Sequence, residues 1–147
     1  MHIKKGKFKH LLDSQFAIAF LAAPFLLFAY QFFYFGQISF HLIPFKRLLM
    51  SVIVSPLIEE IIFRGFIQEW LYSHRWAKKT VFLISPANLI TSFIFTAFHF
   101  FAHPPLMAAL VFVPSLVFGY FRDRHGGITS PIILHCFYNL SYFSLFM

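Results

Sequence analysis

Three short runs of this sequence hold side chains of the kinds that bond-breaking chemistry uses. Glu59-Glu60-Ile61-Ile62-Phe63-Arg64 carries two carboxylates and a guanidinium. Phe95-Thr96-Ala97-Phe98-His99 ends on an imidazole, and His135-Cys136-Phe137-Tyr138-Asn139 sets an imidazole and an amide four positions apart. On a helix, positions four apart are neighbours on one face, so Glu60 can pair with Arg64, and His135 and Asn139 project together. Glu59 is turned by about 100° from Glu60, which makes it the carboxylate left over, aimed elsewhere and free to react. Hydrolysis of an amide needs an activated water, an oxyanion stabiliser and a proton donor for the leaving amine. Glu59, His99, His135 and Asn139 could provide such a set if three helices bring them around one cavity.

Each of these residues also has a plainer use. A single imidazole inside a membrane is often a helix-to-helix hydrogen bond, an asparagine is often packing glue, and a Glu–Arg pair can be purely structural. Glu59, His99 and His135 together make a His₂Glu donor set, the ligand type of several zinc hydrolases. Against zinc, Asn139 is a poor ligand, and no helix carries the two histidines of an HExxH pattern.

The elements that must position these groups follow from composition. Of the 147 residues, 59% are hydrophobic, 12% are charged and 24 are phenylalanine, against roughly 25% charged in an average globular chain. A folded domain of this size still exposes roughly 30% of its unfolded surface, so this much apolar surface requires lipid. No Asp, Glu, Lys or Arg occurs over residues 14–44, 80–121 or 125–147. About 20 helical residues cross a bilayer. The fold class read here is therefore all-α, a polytopic transmembrane helix bundle of about five spans, at 14–35, 46–72, 82–101, 105–121 and 129–146. In lipid the backbone must satisfy its own hydrogen bonds, which leaves no alternative to helices for this pattern.

Charge distribution then orients the bundle. Lys4, Lys5, Lys7, Lys9, Arg75, Lys78, Lys79, Arg122 and Arg124 fall on one side, and only Lys46 and Arg47 on the other. The positive-inside rule puts the first side, with the N-terminus, in the cytoplasm. The pI near 9.8 is thereby explained by topology, and nucleic-acid binding is excluded as a partner class. Residues 1–13 read as a basic cytoplasmic arm and 14–147 as a single transmembrane domain. No signal peptide is expected, and the single cysteine, Cys136, excludes an intramolecular disulfide and a cysteine-based metal cluster. Trp70, Tyr72 and Trp76 sit as an interfacial aromatic belt would, and His103-Pro104-Pro105 is a hairpin signal.

Inside this frame the charges of the second span are costly. Glu59, Glu60 and Arg64 together cost on the order of 8 kcal/mol to insert, which something must offset. For His99 to reach the depth of Glu59, the third helix must start late, after Pro86-Ala87-Asn88.

The spacing within all three runs resembles the motifs of the CAAX protease and bacteriocin-processing family: Glu-Glu with Arg four after the second Glu, Phe with His four later, and His with Asn four later. The motifs occur in order within residues 59–139, and residues 86–92 and 114–129 are also similar to this family, in particular to small bacterial members associated with C-terminal sorting signals. The first 45 residues carry no motif. The resemblance implies a glutamic-type intramembrane endopeptidase of the bacterial inner membrane that acts near the C-terminus of a membrane-anchored protein or peptide. By motif position, Glu59 would be the general base, His99 would help to orient and deprotonate a water, His135 and Asn139 would stabilise the oxyanion, and Glu60 and Arg64 would hold the site together. No cofactor is favoured; the alternative is a zinc protease with Glu59, His99 and His135 as ligands. Two further alternatives are a proton relay, because intramembrane Glu, His and Arg mark such paths, and a non-catalytic immunity or scaffold protein.

Overall fold

The computed structural model describes residues 13–147; apart from Asp13, the expected basic arm lies outside the described residues. Five helical rods follow one another: α1 (Ser14–Phe35), α2 (residues 45–72), α3 (Pro86–His99), α4 (Pro105–His125) and α5 (Thr129–Phe146). Among the described residues there is no β-strand, only an isolated bridge between Val81 and Ile84. α1 and α4 are long and apolar enough to cross a membrane by length and composition. The segment expected to span from 82 to 101 is a 14-residue helix, about 21 Å long at 1.5 Å per residue, because residues 81–84 are taken up by a tight turn. The start at Pro86 is close to the late start expected for this helix, and Ser85 caps it by accepting the Asn88 N–H. At its other end α4 runs past residue 121 to His125, where Gly126 closes it in the left-handed conformation.

α1 packs on α5, α5 on α4 and α4 on α3, with α2 set against α3 and α5. Phe16, Phe118, Phe121 and Leu134 form the buried apolar cluster where α1, α4 and α5 meet. Phe20 stacks on Phe137 at 3.8 Å between ring centres. The outer surface is apolar as well, with Phe25, Phe33 and Phe66 exposed, as expected of helices bathed in hydrocarbon. Lipid tails solvate such side chains as well as a core does, so interior packing and polar ties must hold the helices together.

Polar ties are present at both ends of α1. At its start, Asp13 accepts the Gln15 N–H, the Arg124 guanidinium and a contact of 3.0 Å from His125 Nε2. Arg124, and after it His125, hold the Asp13 carboxyl well below the usual carboxylate range. Toward its other end the buried Gln31 donates to the Leu145 carbonyl (2.7 Å) and the Ser39 carbonyl (3.2 Å), and accepts the Ser39 N–H (2.9 Å). One side chain thus ties α1, the following loop and the end of α5.

Candidate active site

α2 is a continuous helix whose pitch changes four times, from α to π and back twice. The α-helical stretch Ser55–Glu60 lies between two π-helical stretches, Leu48–Val54 and Ile61–Gln68. Val52, Pro56, Glu60, Arg64 and Gln68 are all buried, a stripe with a strict spacing of four. At 3.6 residues per turn such a stripe drifts by about 40° per step, or about 160° from position 52 to 68, which would turn Gln68 to the opposite side. The wider i→i+5 turns take up the drift. The π stretches are thus what keeps Glu60, Arg64 and Gln68 facing the bundle together.

Glu60 is the centre of the arrangement. It is fully buried, its Oε2 lies 3.2 Å from Arg64 Nε, and its Oε1 lies 2.8 Å from His135 Nδ1. The i,i+4 pairing of Glu60 with Arg64 is as expected; the tie to His135 on α5 is additional. Arg64 Nη2 donates to the Ser115 carbonyl (2.9 Å) and the Ser115 hydroxyl (2.8 Å) on α4, and its guanidinium lies over the rings of Phe95 (4.7 Å) and Phe118 (5.7 Å). Cation–π contact, the ion pair and the Nη2 hydrogen bonds replace part of the water this charge gives up, while buried Nη1 has no hydrogen-bond partner among the described residues. The insertion cost of the pair is therefore offset by contacts from three other helices.

Glu59 is turned off this pair, as its position requires. Its Oε2 is buried, has no hydrogen-bond partner among the described residues, and lies 3.8 Å from His135 Nε2. His135 therefore stands between two carboxylates. With a Glu60 oxygen as the acceptor, His135 Nδ1 is the donor in that contact, and Nε2 is the atom presented toward Glu59.

His99 and Asn139 sit further out. His99 ends α3, with Nδ1 2.9 Å from the Phe95 carbonyl oxygen, which leaves Nε2 as its acceptor. No hydrogen bond among the described residues joins His99 to Glu59 or His135; the Phe95 ring lies 4.5 Å from His99 and 6.0 Å from His135. Asn139 Nδ2 donates to the Ser51 carbonyl at 2.9 Å, in the first π stretch. Among the described residues no three His, Cys, Asp or Glu side chains come together so that they could hold a metal ion. The Glu59, His99 and His135 set is thus not gathered as a donor triad.

A second buried polar network was not anticipated. Gln68 Nε2 donates to the Gly119 carbonyl and to Asp123 Oδ1, both at 2.9 Å, and the Ser85 hydroxyl donates to Asp123 Oδ2. Arg122 pairs with both Asp123 and Glu69. One helix turn along α3, Asn88 Nδ2 donates to the Leu116 carbonyl (2.9 Å) while its Oδ1 accepts the Ser92 hydroxyl (3.1 Å). A Cβ on Gly119 would fall 1.9 Å from Asn88 Oδ1, so the Asn88 amide on α3 occupies the space that a side chain at 119 on α4 would need. The available signal was a run of polar residues, Ser85, Asn88, Thr91 and Ser92, at helical spacing in an otherwise apolar stretch.

No curated protein and no solved structure matches the chain. The family model described as type II CAAX prenyl endopeptidase Rce1-like matches residues 41–141, which include the buried Glu60–Arg64–His135 cluster and the neighbouring Glu59, and on this match the chain is a membrane protein that belongs to that family.

Proposed function

We propose that this protein is an intramembrane endopeptidase of glutamic type, hydrolysing a peptide bond near the C-terminus of a membrane-associated protein or peptide. The observation that carries the reading is the buried, unpartnered Oε2 of Glu59 beside His135 Nε2. A carboxylate oxygen buried without a donor is costly, and a water within reach of both atoms would satisfy it and place that water for attack. In this reading Glu59 takes a proton as the water oxygen adds to the substrate carbonyl carbon. The same proton then passes to the leaving nitrogen as the C–N bond breaks, giving a carboxylic acid and an amine. His99, with Nε2 free to accept, orients the water from the α3 side.

The oxyanion formed in the addition would be met by His135 and Asn139. With Nδ1–H given to Glu60, His135 would donate from Nε2 as the imidazolium, held between the Glu59 and Glu60 carboxylates, and the Asn139 amide has a second N–H beyond the one given to Ser51. Donors fixed in advance in a water-poor site stabilise such charge strongly, each by about 3 kcal/mol. Glu60 and Arg64 act through His135 as positioning residues. No metal enters these steps. In this reading the N-terminus and basic loops lie in the cytoplasm, and five helices cross the bacterial inner membrane.

The test is cleavage of membrane-protein C-termini in cells carrying the wild-type protein or Glu59→Gln, read by membrane proteomics. Unprocessed C-termini should accumulate only with Glu59→Gln. Processing that continues with this variant would remove Glu59 as the base. Purified protein should keep its activity in a zinc chelator, and loss of activity restored by zinc would replace the metal-free reading.

A further inference from the structure

The turn between α2 and α3 breaks a local rule without a gain inside the fold. Val81 and Ile84 exchange both backbone hydrogen bonds, at 3.0 and 3.1 Å, across a two-residue connection of Phe82 and Leu83. Both connecting residues have positive φ, 48° and 73°. A two-residue hairpin with positive φ at both central positions is a type I′ turn, which strongly favours Asn-Gly or Asp-Gly. Large side chains in the left-handed region strain the backbone. Here the strain accompanies exposure: Phe82 is 94% and Leu83 67% exposed, so packing within the chain covers little of the ring and only a minor part of Leu83.

The surroundings indicate what covers this tip. Arg75, Lys78 and Lys79 are exposed in the short helical turn and the residue just after it, and Trp76 on the same connection and Trp70 in the last turn of α2 are exposed large aromatics. An exposed apolar tip flanked by exposed cations and aromatics combines the groups that favour the acyl chains, the anionic headgroups and the interface of a bilayer surface.

We infer that the Val81–Ile84 turn is a membrane wedge, with Phe82 and Leu83 inserted among acyl chains and Arg75, Lys78 and Lys79 bound to anionic phospholipid headgroups. It anchors the start of α3 and the end of α2 in the leaflet next to the polar network of Ser85 and Asp123. The proposal stands apart from the reading of the active site.

The experiment uses the full chain with Cys136→Ala and Val81→Cys, labelled at position 81 with an environment-sensitive dye. The protein is reconstituted in vesicles of phosphatidylcholine alone or with phosphatidylglycerol. Nitroxide carried on lipid acyl chains should quench the dye and aqueous iodide should not. Neutralising Arg75, Lys78 and Lys79 to Gln should lower the ratio of inserted to free tip in phosphatidylglycerol vesicles by about fivefold per charge removed. In the double variant Phe82→Asn, Leu83→Gly, which suits the turn but not the lipid, lipid quenching should be lost while far-ultraviolet helicity is kept. Quenching by iodide in both kinds of vesicle would overturn the proposal. Protection from both quenchers would also overturn it, since it would mean that protein, a second copy for instance, covers the tip.

Discussion

Glu60 on α2 and His135 on α5 are joined at 2.8 Å, carboxylate to Nδ1, although they lie 75 positions apart in the chain. This contact fixes which face of the imidazole is turned to Glu59, and it makes the two adjacent glutamates unequal. Glu60 Oε1 is hydrogen-bonded to His135 and Glu60 Oε2 is ion-paired with Arg64 at 3.2 Å, whereas the ion-pair contact of Glu59 Oε2, to His135 Nε2, is 3.8 Å long.

That inequality separates two substitutions one residue apart. Glu60→Ala leaves the fully buried Arg64 guanidinium without its counter-charge, and breaking one partner of such a pair costs about 3–5 kcal/mol. The expected result is a large fall in thermal midpoint in detergent and in the amount of folded protein in membranes. Glu59→Gln removes no ion-pair partner at hydrogen-bond distance and should leave both unchanged, while the proposed base is lost and turnover falls by about 10²–10⁴. If the two variants lost stability equally, the distinct roles assigned to the two carboxylates would be wrong.

How far the sequence reaches can be judged at these same residues. The Glu60–Arg64 pair was legible because i,i+4 spacing on a helix is local geometry. The Glu60–His135 tie was not, since spacing within one helix says nothing about which helices meet or at what depth. Periodicity at 3.6 residues per turn also hides the π stretches, and with them the alignment of Arg64 and Gln68. The turn at Phe82 and Leu83 is hidden within the expected 82–101 span because its residues are as apolar as those of a membrane helix. Only the later Ser85-Pro86 marked a helix start. Asn88 and Gly119 each carry a weak signal, and their contact depends on the α3–α4 approach alone.

Asn139 offers a test that separates packing from chemistry. Its amide satisfies the Ser51 carbonyl, so Asn139→Ala should cost about 1–3 kcal/mol of stability from the unpaired acceptor. If the second N–H meets the oxyanion, kcat should drop by about 10²–10³ as well, with KM little changed because the interaction forms only in the transition state. Thermal melts and steady-state kinetics on one preparation give both numbers. A loss of stability with kcat intact would leave Asn139 as a helix-packing residue.

The α3–α4 approach can be probed by overpacking and relief. Gly119→Ala places a methyl group 1.9 Å from Asn88 Oδ1, and forcing the helices apart should cost about 1–3 kcal/mol. Asn88→Ala gives up two hydrogen bonds but vacates the space. The double variant should therefore be more stable than the sum of the single losses, with a coupling of about 0.5–3 kcal/mol in a thermal-melt cycle. Strictly additive losses would mean that the helices do not meet at these two positions.

The start of α1 should make stability depend on acidity. Arg124 and His125 hold the Asp13 carboxyl well below its ordinary value, so the folded state binds this proton less readily than the unfolded chain does. A depressed carboxylate contributes stability that is fully present above its unfolded value, near about 4, and is lost progressively as pH falls below that value. The thermal midpoint of the detergent-solubilised protein should thus decline between about pH 5 and pH 3. Asp13→Asn removes the titrating group and keeps an N-cap oxygen for the Gln15 N–H. It should lower the midpoint near neutral pH, where the charged contact to Arg124 is lost, and flatten the decline at low pH. Parallel pH profiles for the wild-type protein and the Asp13→Asn variant would show that the clamp on α1 does not depend on this charge.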